Sequence, residues 1–152
     1  MAGAVASEIF IGVRGVEPDD AAAVAALLDV LGYPCTEAEA RERIAHFRED
    51  ARQFLLLAMS NGTPCGLVAM KLNYSLTRGA DVGRITALVV APESHGQGVG
   101  RRLLREVETI ARRNGAMRLE VTSNPSRVGA HAFYHACGYS DGSRHFFKPL
   151  GD

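Results

Sequence analysis

The stretch richest in chemistry reads Leu88-Val89-Val90-Ala91-Pro92-Glu93-Ser94-His95-Gly96-Gln97-Gly98-Val99-Gly100-Arg101. An apolar run stops at Pro92 and passes through three alternating glycines. It then enters a segment where Val99, Leu103, Leu104, Val107 and Ile110 recur at helical spacing. Glycines let the backbone approach a ligand closely, and a helix start presents unpaired N–H groups at its positive dipole end. Together they make a cradle for a phosphate or pyrophosphate. A turn serving geometry alone would not need three glycines at a helix start, where glycine weakens the helix.

Two familiar phosphate binders do not fit. A nucleoside-triphosphate loop needs Lys-Ser/Thr after its last glycine, and Arg101-Arg102 stands there. A dinucleotide fingerprint needs a third glycine that falls on Arg101 counting from Gly96, or on Leu103 counting from Gly98. Glu120 lies where a ribose-binding acid would, but too little chain follows for a second mononucleotide half.

The stretch instead resembles the coenzyme A signature of the GNAT family of N-acetyltransferases, Arg/Gln-x-x-Gly-x-Gly/Ala. His95, Gly98 and Gly100 stand at its fixed positions, with histidine replacing the usual first residue. Leu88-Val89-Val90-Ala91-Pro92 is similar to that family's strand before the loop. Downstream, Ala130-His131-Ala132-Phe133-Tyr134-His135-Ala136-Cys137-Gly138-Tyr139 resembles its Ala-x-x-Phe/Leu-Tyr-x-x-x-Gly-Phe/Tyr segment. The family's asparagine, seven residues before the tyrosine, is Arg127 here, with Asn124 the nearest substitute. Arg127-x-x-Ala130-His131-x-Phe133-Tyr134 with Phe147-Lys148-x-Leu150 is similar to the aminoalkylphosphonate acetyltransferase subgroup.

This resemblance implies transfer of an acetyl group from acetyl-CoA to an amine in a ternary complex. The pantetheine arm would lie on Leu88, Val89 and Val90, between parallel strands at 83–90 and 117–122 that diverge. The pyrophosphate would sit on the amides of Gly96, Gln97, Gly98, Val99, Gly100 and Arg101, with His95, Asn124 and Phe133 completing the cosubstrate site. An amide near Val89 or Val90 would stabilise the oxyanion. Tyr134 matches the family's general acid: a phenol of pKa near 10 can protonate or hydrogen-bond a thiolate of pKa near 8.5.

Many relatives carry a glutamate base on the preceding strand, but Ile85-Thr86-Ala87-Leu88 offers no carboxylate. His131, one helical turn before Tyr134, is a candidate base, as are Glu120 and Asp81, and a water relay is preferred. Arg101 lacks a helical acid partner and is expected near a CoA phosphate, whereas Arg102 can pair with Glu106. The acceptor would approach past Gly32-Tyr33-Pro34, and a small primary amine is favoured. A protein N-terminus or lysine as acceptor, and a non-catalytic CoA sensor, are the rival readings. No metal is implied, and the chain could act alone or as a homodimer.

These groups are positioned by elements that the pattern places in the order β-α-α-β-β-β-α-β-α-β. A strand at 10–14 precedes a helix opened by Pro18 and stopped by Gly32. Thr36 and Glu39 form a capping box for a helix reaching about Asp50. Strands at 53–59 and 65–73 flank the hairpin signal Asn61-Gly62. Then come a strand at 83–90, a helix at 98–114, a strand at 117–122, a helix at 126–137 and a last strand at 144–150. A meander followed by one crossover is not a repeating doubly wound pattern. The fold class is α/β, and the resemblance implies a mixed, mostly antiparallel twisted sheet of six to seven strands with about four helices. Residues 1–8 read as a flexible end and 9–152 as one N-acetyltransferase domain.

The chain has 152 residues, 47% hydrophobic and 22% charged, a length at which one core suffices. Its 17 basic and 17 acidic residues cancel, which argues against nucleic acid and anionic membrane as partners. No apolar run, residues 54–59 and 21–28 included, approaches the roughly 20 residues of a membrane helix. Three cysteines without metal-type spacing fit a reducing cytoplasm. The neutrality is an average. Residues 1–50 hold ten acids and four bases, net −6, and residues 95–118 hold two and six, net +4. That split suits polyanionic CoA on the basic segment and a cationic amine nearer the acidic helices.

Overall fold

The computed structural model describes residues 9–122, 128–142 and 145–151. The expected loose end at 1–8, Asn124 and Arg127 lie outside the described residues. The chain divides into two compact units, one ending at Glu120 and the other beginning at Val121.

The first unit runs β1 (Ile11–Gly15), a 3-10 turn (Pro18–Asp20), α1 (Ala21–Leu31), α2 (Glu37–Glu49), β2 (Gln53–Ser60), β3 (Thr63–Ser75) and β4 (Ala80–Val90). A second 3-10 turn (Pro92–Ser94) leads to α3 (Val99–Arg113), and β5 (Arg118–Val121) carries the chain into the second unit. The sheet order is β1-β2-β3-β4-β5. The first three pairings are antiparallel. The β4–β5 pair is parallel, as an intervening helix requires.

Local chemistry accounts for most boundaries. Gly32, at φ 102°, ends α1, and the Tyr33 N–H reaches back to the Leu28 carbonyl at 2.9 Å. The Thr36 hydroxyl accepts from Glu39 N–H at 3.0 Å while the Glu39 carboxylate accepts from Thr36 N–H at 2.9 Å, starting α2 as expected. Asn61 and Gly62, at φ 49° and 85°, make the tight β2–β3 turn. Asn61 also locks the edge strand: its Oδ1 accepts from Phe10 N–H at 3.0 Å and its N–H donates to Phe10 O at 2.9 Å.

Strand β3 is buried on both faces from Cys65 to Met70. One face packs under α1 and α2, where Val24, Leu27, Ala40 and Ile44 meet Leu57, Leu67 and Val89. The neighbouring position, Gly66, points the other way and meets Val99 and Leu103 of α3. No described helix is long and apolar enough to cross a membrane.

The second unit holds α4 (Val128–Ala136), closed by Gly138 at φ 91°. The last strand expected at 144–150 is a correction: described residues 145–150 have no regular structure, and among the described residues the sheet has five strands, not six to seven. Phe146, Phe147 and Leu150 are 81%, 82% and 94% exposed. Adjacent Phe146 and Phe147 break the alternation a half-buried strand needs, and Pro149 removes a ladder donor.

Candidate active site

The site begins at the far end of β4. The Ala91 N–H donates to Cys65 O at 2.8 Å, which sets the phase of the β3–β4 ladder. With Val89 opposite Leu67 and Ala87 opposite Ala69, these residues bond toward β3. Leu88 and Val90, opposite Val68 and Gly66, therefore turn their N–H and C=O groups away from it. The register then slips between Ala69 and Met70, so Ile85 rather than Thr86 opposes Met70 and Thr86 is bulged. The bulge resets the phase, and Asp81 O faces β5, where it accepts from Met117 N–H at 2.9 Å. Four residues carry β5 to about the level of Ile85. Among the described residues, the outward backbone groups of Leu88 and Val90 thus have no strand partner, while β4 runs on into the glycine turn.

The turn opens tightly. Ser94 N–H bonds Ala91 O at 2.9 Å and His95 N–H bonds Pro92 O at 3.3 Å. Ser94 is buried, and its hydroxyl meets the Cys65 thiol, whose pKa burial pushes up against that partner. His95 Nε2 lies 3.0 Å from Val90 O. Gly96 and Gly98 adopt φ 80° and 81°, and a Cβ on either would meet nothing within 4 Å, so both face open space. Gly98 is the N-cap of α3, and among the described residues no side chain caps the helix. Its first-turn amides at Val99, Gly100 and Arg101 are left for a ligand or water.

Helix α3 is seated by Val99, Leu103, Leu104 and Val107, all buried. Arg102 is committed to structure: Nε bonds Glu106 at 3.1 Å, as its spacing suggested, and a terminal nitrogen reaches Ile11 O at 3.2 Å. Arg101 is exposed and pairs with no carboxylate among the described residues.

In the second unit, Tyr134 lies on α4 between two edge-on aromatic neighbours, Phe133 at 5.4 Å and Tyr139 at 5.8 Å between ring centroids. The Tyr139 N–H bonds Tyr134 O at 2.9 Å, so the helix terminus fixes that pair. His131, one turn earlier, is half-buried, as are Phe133 and Tyr134. His135 pairs with Asp141 at 2.9 Å, a contact the motif did not announce. Of the carboxylates considered as bases, Asp81 is held by Arg52 at 2.6 and 3.2 Å and kept below the usual carboxylate range by that bond. Glu120 is paired with Arg118 at 3.2 Å. The described residues also line an open pocket of about 200 Å³ near α2 and the Gln53 end of β2, and none of its lining residues belongs to the glycine turn.

Over this frame, residues 21–139 match the model of the acetyltransferase (GNAT) family. The chain belongs to that family. Its members are acyltransferases that draw the acetyl group from acetyl-CoA. The chain is 36% identical over 94 residues to an aminoalkylphosphonate N-acetyltransferase of Salmonella typhimurium, covering 62% of this chain and 61% of that one. The match thus spans less than two thirds of that relative's length. A 32% identity over 144 residues links it to an aminoglycoside N(6')-acetyltransferase type 1 of Stenotrophomonas maltophilia, across 91% of this chain and 93% of that one. A crystal structure of a GNAT family acetyltransferase from Staphylococcus aureus superposes with a TM-score of 0.78 at 26% identity, covering 92% and 98% of the two chains.

The motif spacing had pointed to the turn and to Tyr134. It did not disclose the bulge at Thr86, the bond from His95 to Val90 or the close approach at Gly66. The only advance signal for the last was a glycine inside an apolar strand.

Proposed function

We propose that residues 9–152 act as one N-acetyltransferase domain that moves the acetyl group of acetyl-CoA directly to the primary amine of a small molecule. The observation that carries this reading is the uncovered β4 edge at Leu88 and Val90 running into an uncapped glycine turn. An extended amide chain such as pantetheine can pair with that edge as a strand would. The amides from Gly96 to Arg101, and the Arg101 guanidinium, suit the pyrophosphate and a further phosphate. Because Val89 bonds toward β3, the Val90 N–H is the better placed oxyanion donor of the two considered.

Tyr134 supplies the proton to the departing thiolate as the C–S bond breaks. The proton lost by the attacking amine leaves through a water relay, with His131 the side-chain alternative. Asp81 and Glu120 are engaged by Arg52 and Arg118, which disfavours both as bases. Acceptors that are small amines are supported by the two relatives, an aminoalkylphosphonate N-acetyltransferase and an aminoglycoside N(6')-acetyltransferase.

The test is release of free CoA thiol from acetyl-CoA with a panel of aminoalkylphosphonates, aminoglycosides and lysine peptides. Turnover with a small amine, intersecting initial-rate lines and a fall of at least 10-fold in kcat for Tyr134→Phe are expected. Parallel lines would reject the ternary complex, and turnover with peptides alone would reject the small-amine reading. Tight CoA binding without turnover would make the chain a sensor.

A further inference from the structure

We propose that the His95 side chain is a positioning residue for acetyl-CoA, pinning the glycine turn to the end of β4 through the Val90 carbonyl. The proposal rests on the acetyl-CoA reading above and concerns the imidazole rather than the backbone of residue 95.

Among the described residues, regular backbone bonding lapses across the turn. The last bond before it is His95 N–H to Pro92 O at 3.3 Å, and the next is Arg102 N–H to Gly98 O at 3.0 Å. Between them stand Gly96, Gln97 and Gly98, all exposed, two of them in the left-handed region. A segment of that kind has many conformers to lose when it must present its amides to a ligand. The imidazole is the side-chain tie that enters this gap, with Nε2 3.0 Å from Val90 O.

A carbonyl only accepts, so Nε2 carries the hydrogen. The neutral ring is then the Nε2–H tautomer with a bare Nδ1, and the protonated ring keeps the same bond. The direction of the bond matters. Val90 turns its carbonyl away from β3, so the ring lies on the side of β4 that β5 leaves uncovered. The tie therefore joins the two halves of the cosubstrate site, the strand edge and the phosphate cradle. It also engages one lone pair of the Val90 carbonyl, leaving the Leu88 N–H and carbonyl for the pantetheine arm and the Val90 N–H for the oxyanion.

Glutamine also ends in an N–H donor at similar reach, whereas asparagine is one methylene shorter and alanine has no donor. CoA titrated calorimetrically into the wild type, His95→Ala, His95→Asn and His95→Gln should bind roughly 3- to 10-fold more weakly to the Ala and Asn variants. The Gln variant should stay within about twofold of wild type, and kcat at saturating acetyl-CoA should hold within about twofold in all three. Without ligand, imidazole 15N shifts should report the Nε2–H tautomer, and the amides of residues 96–98 should exchange faster in His95→Ala. Equal CoA affinity of wild type and His95→Ala would overturn the proposal, as would a Gln variant no better than Ala or an Nδ1–H tautomer. A wild type that shows the tie yet binds no CoA would fail differently: it would remove the acetyl-CoA reading, and the role of His95 with it.

Discussion

Gly66→Ala tests how the glycine turn is held in place. A Cβ at this position would stand 2.8 Å from Val99 Cγ1, 3.0 Å from Leu103 Cδ1 and 3.3 Å from the Val89 carbonyl oxygen. Ordinary carbon–carbon contact begins at roughly 3.5–4.0 Å, so two buried side chains must retreat. Neither has room, since Val99 and Leu103 are 1% and 0% exposed. A valine in a helix also has one strongly preferred rotamer, so it cannot swing aside cheaply. Overpacking of this kind costs about 1–3 kcal/mol, and a backbone atom among the obstacles places the expectation near 2 kcal/mol. For a chain of this size that is a fall in Tm of roughly 4–8 °C.

The effect should reach function. Val99 is the first residue of α3 and follows Gly98 directly, so a displaced Val99 carries the turn amides with it. Differential scanning calorimetry and CoA titration measure the two effects side by side. Gly12→Ala is the control: nothing lies within 4 Å of its added Cβ and its φ is ordinary, so its Tm should stay near wild type. In a Val99→Ala background the Gly66→Ala change should cost about 1 kcal/mol less than in the wild type. A Gly66→Ala protein melting within 1 °C of wild type would refute the argument that α3 is seated on the bare backbone of β3.

Gly98→Ala meets no steric obstacle but holds φ 81°, so the strain of about 1–2 kcal/mol is purely backbone. CoA affinity should fall roughly 5- to 30-fold, and Gly98→Asn, which tolerates this region better, should recover part of it. Equal affinity of Gly98→Ala and wild type would show that the left-handed N-cap is dispensable. Asp20 accepts from Arg14 at 2.7 and 2.9 Å and from Glu17 N–H at 2.8 Å, bonds that hold its carboxyl below the ordinary 3.8. Its contribution is therefore present above pH 3.8 and disappears as pH falls through the lowered value. Urea midpoints measured from pH 5 to pH 2 should drop less steeply for Asp20→Asn, and identical slopes would contradict the assignment.

Short-range chemistry was legible in the residues themselves. Thr36 with Glu39, Asn61 with Gly62 and Gly32 after an apolar stripe each specify a local geometry through atoms a few positions apart. The glycine turn belongs to the same class, because Gly96 and Gly98 need no distant partner to adopt left-handed backbone. That residues 145–150 form no strand was not legible, because a strand exists only by virtue of its neighbour and apolar residues alone do not name one.

By itself, then, the sequence determined where the chain turns, where helices begin and which stretch offers backbone amides to a phosphate. Only the tertiary structure decided which backbone groups of β4 lack a strand partner among the described residues. That depends on the bulge at Thr86, on the phase set by Cys65 and Ala91, and on a β5 too short to follow β4 to Val90. It also decided that the His95 ring meets Val90 O and that Gly66 seats α3. The physical reason is the same in each case. Capping and turn geometry are settled within one or two turns of chain, whereas ladder phase, strand reach and close approach are relations between segments that only packing brings together.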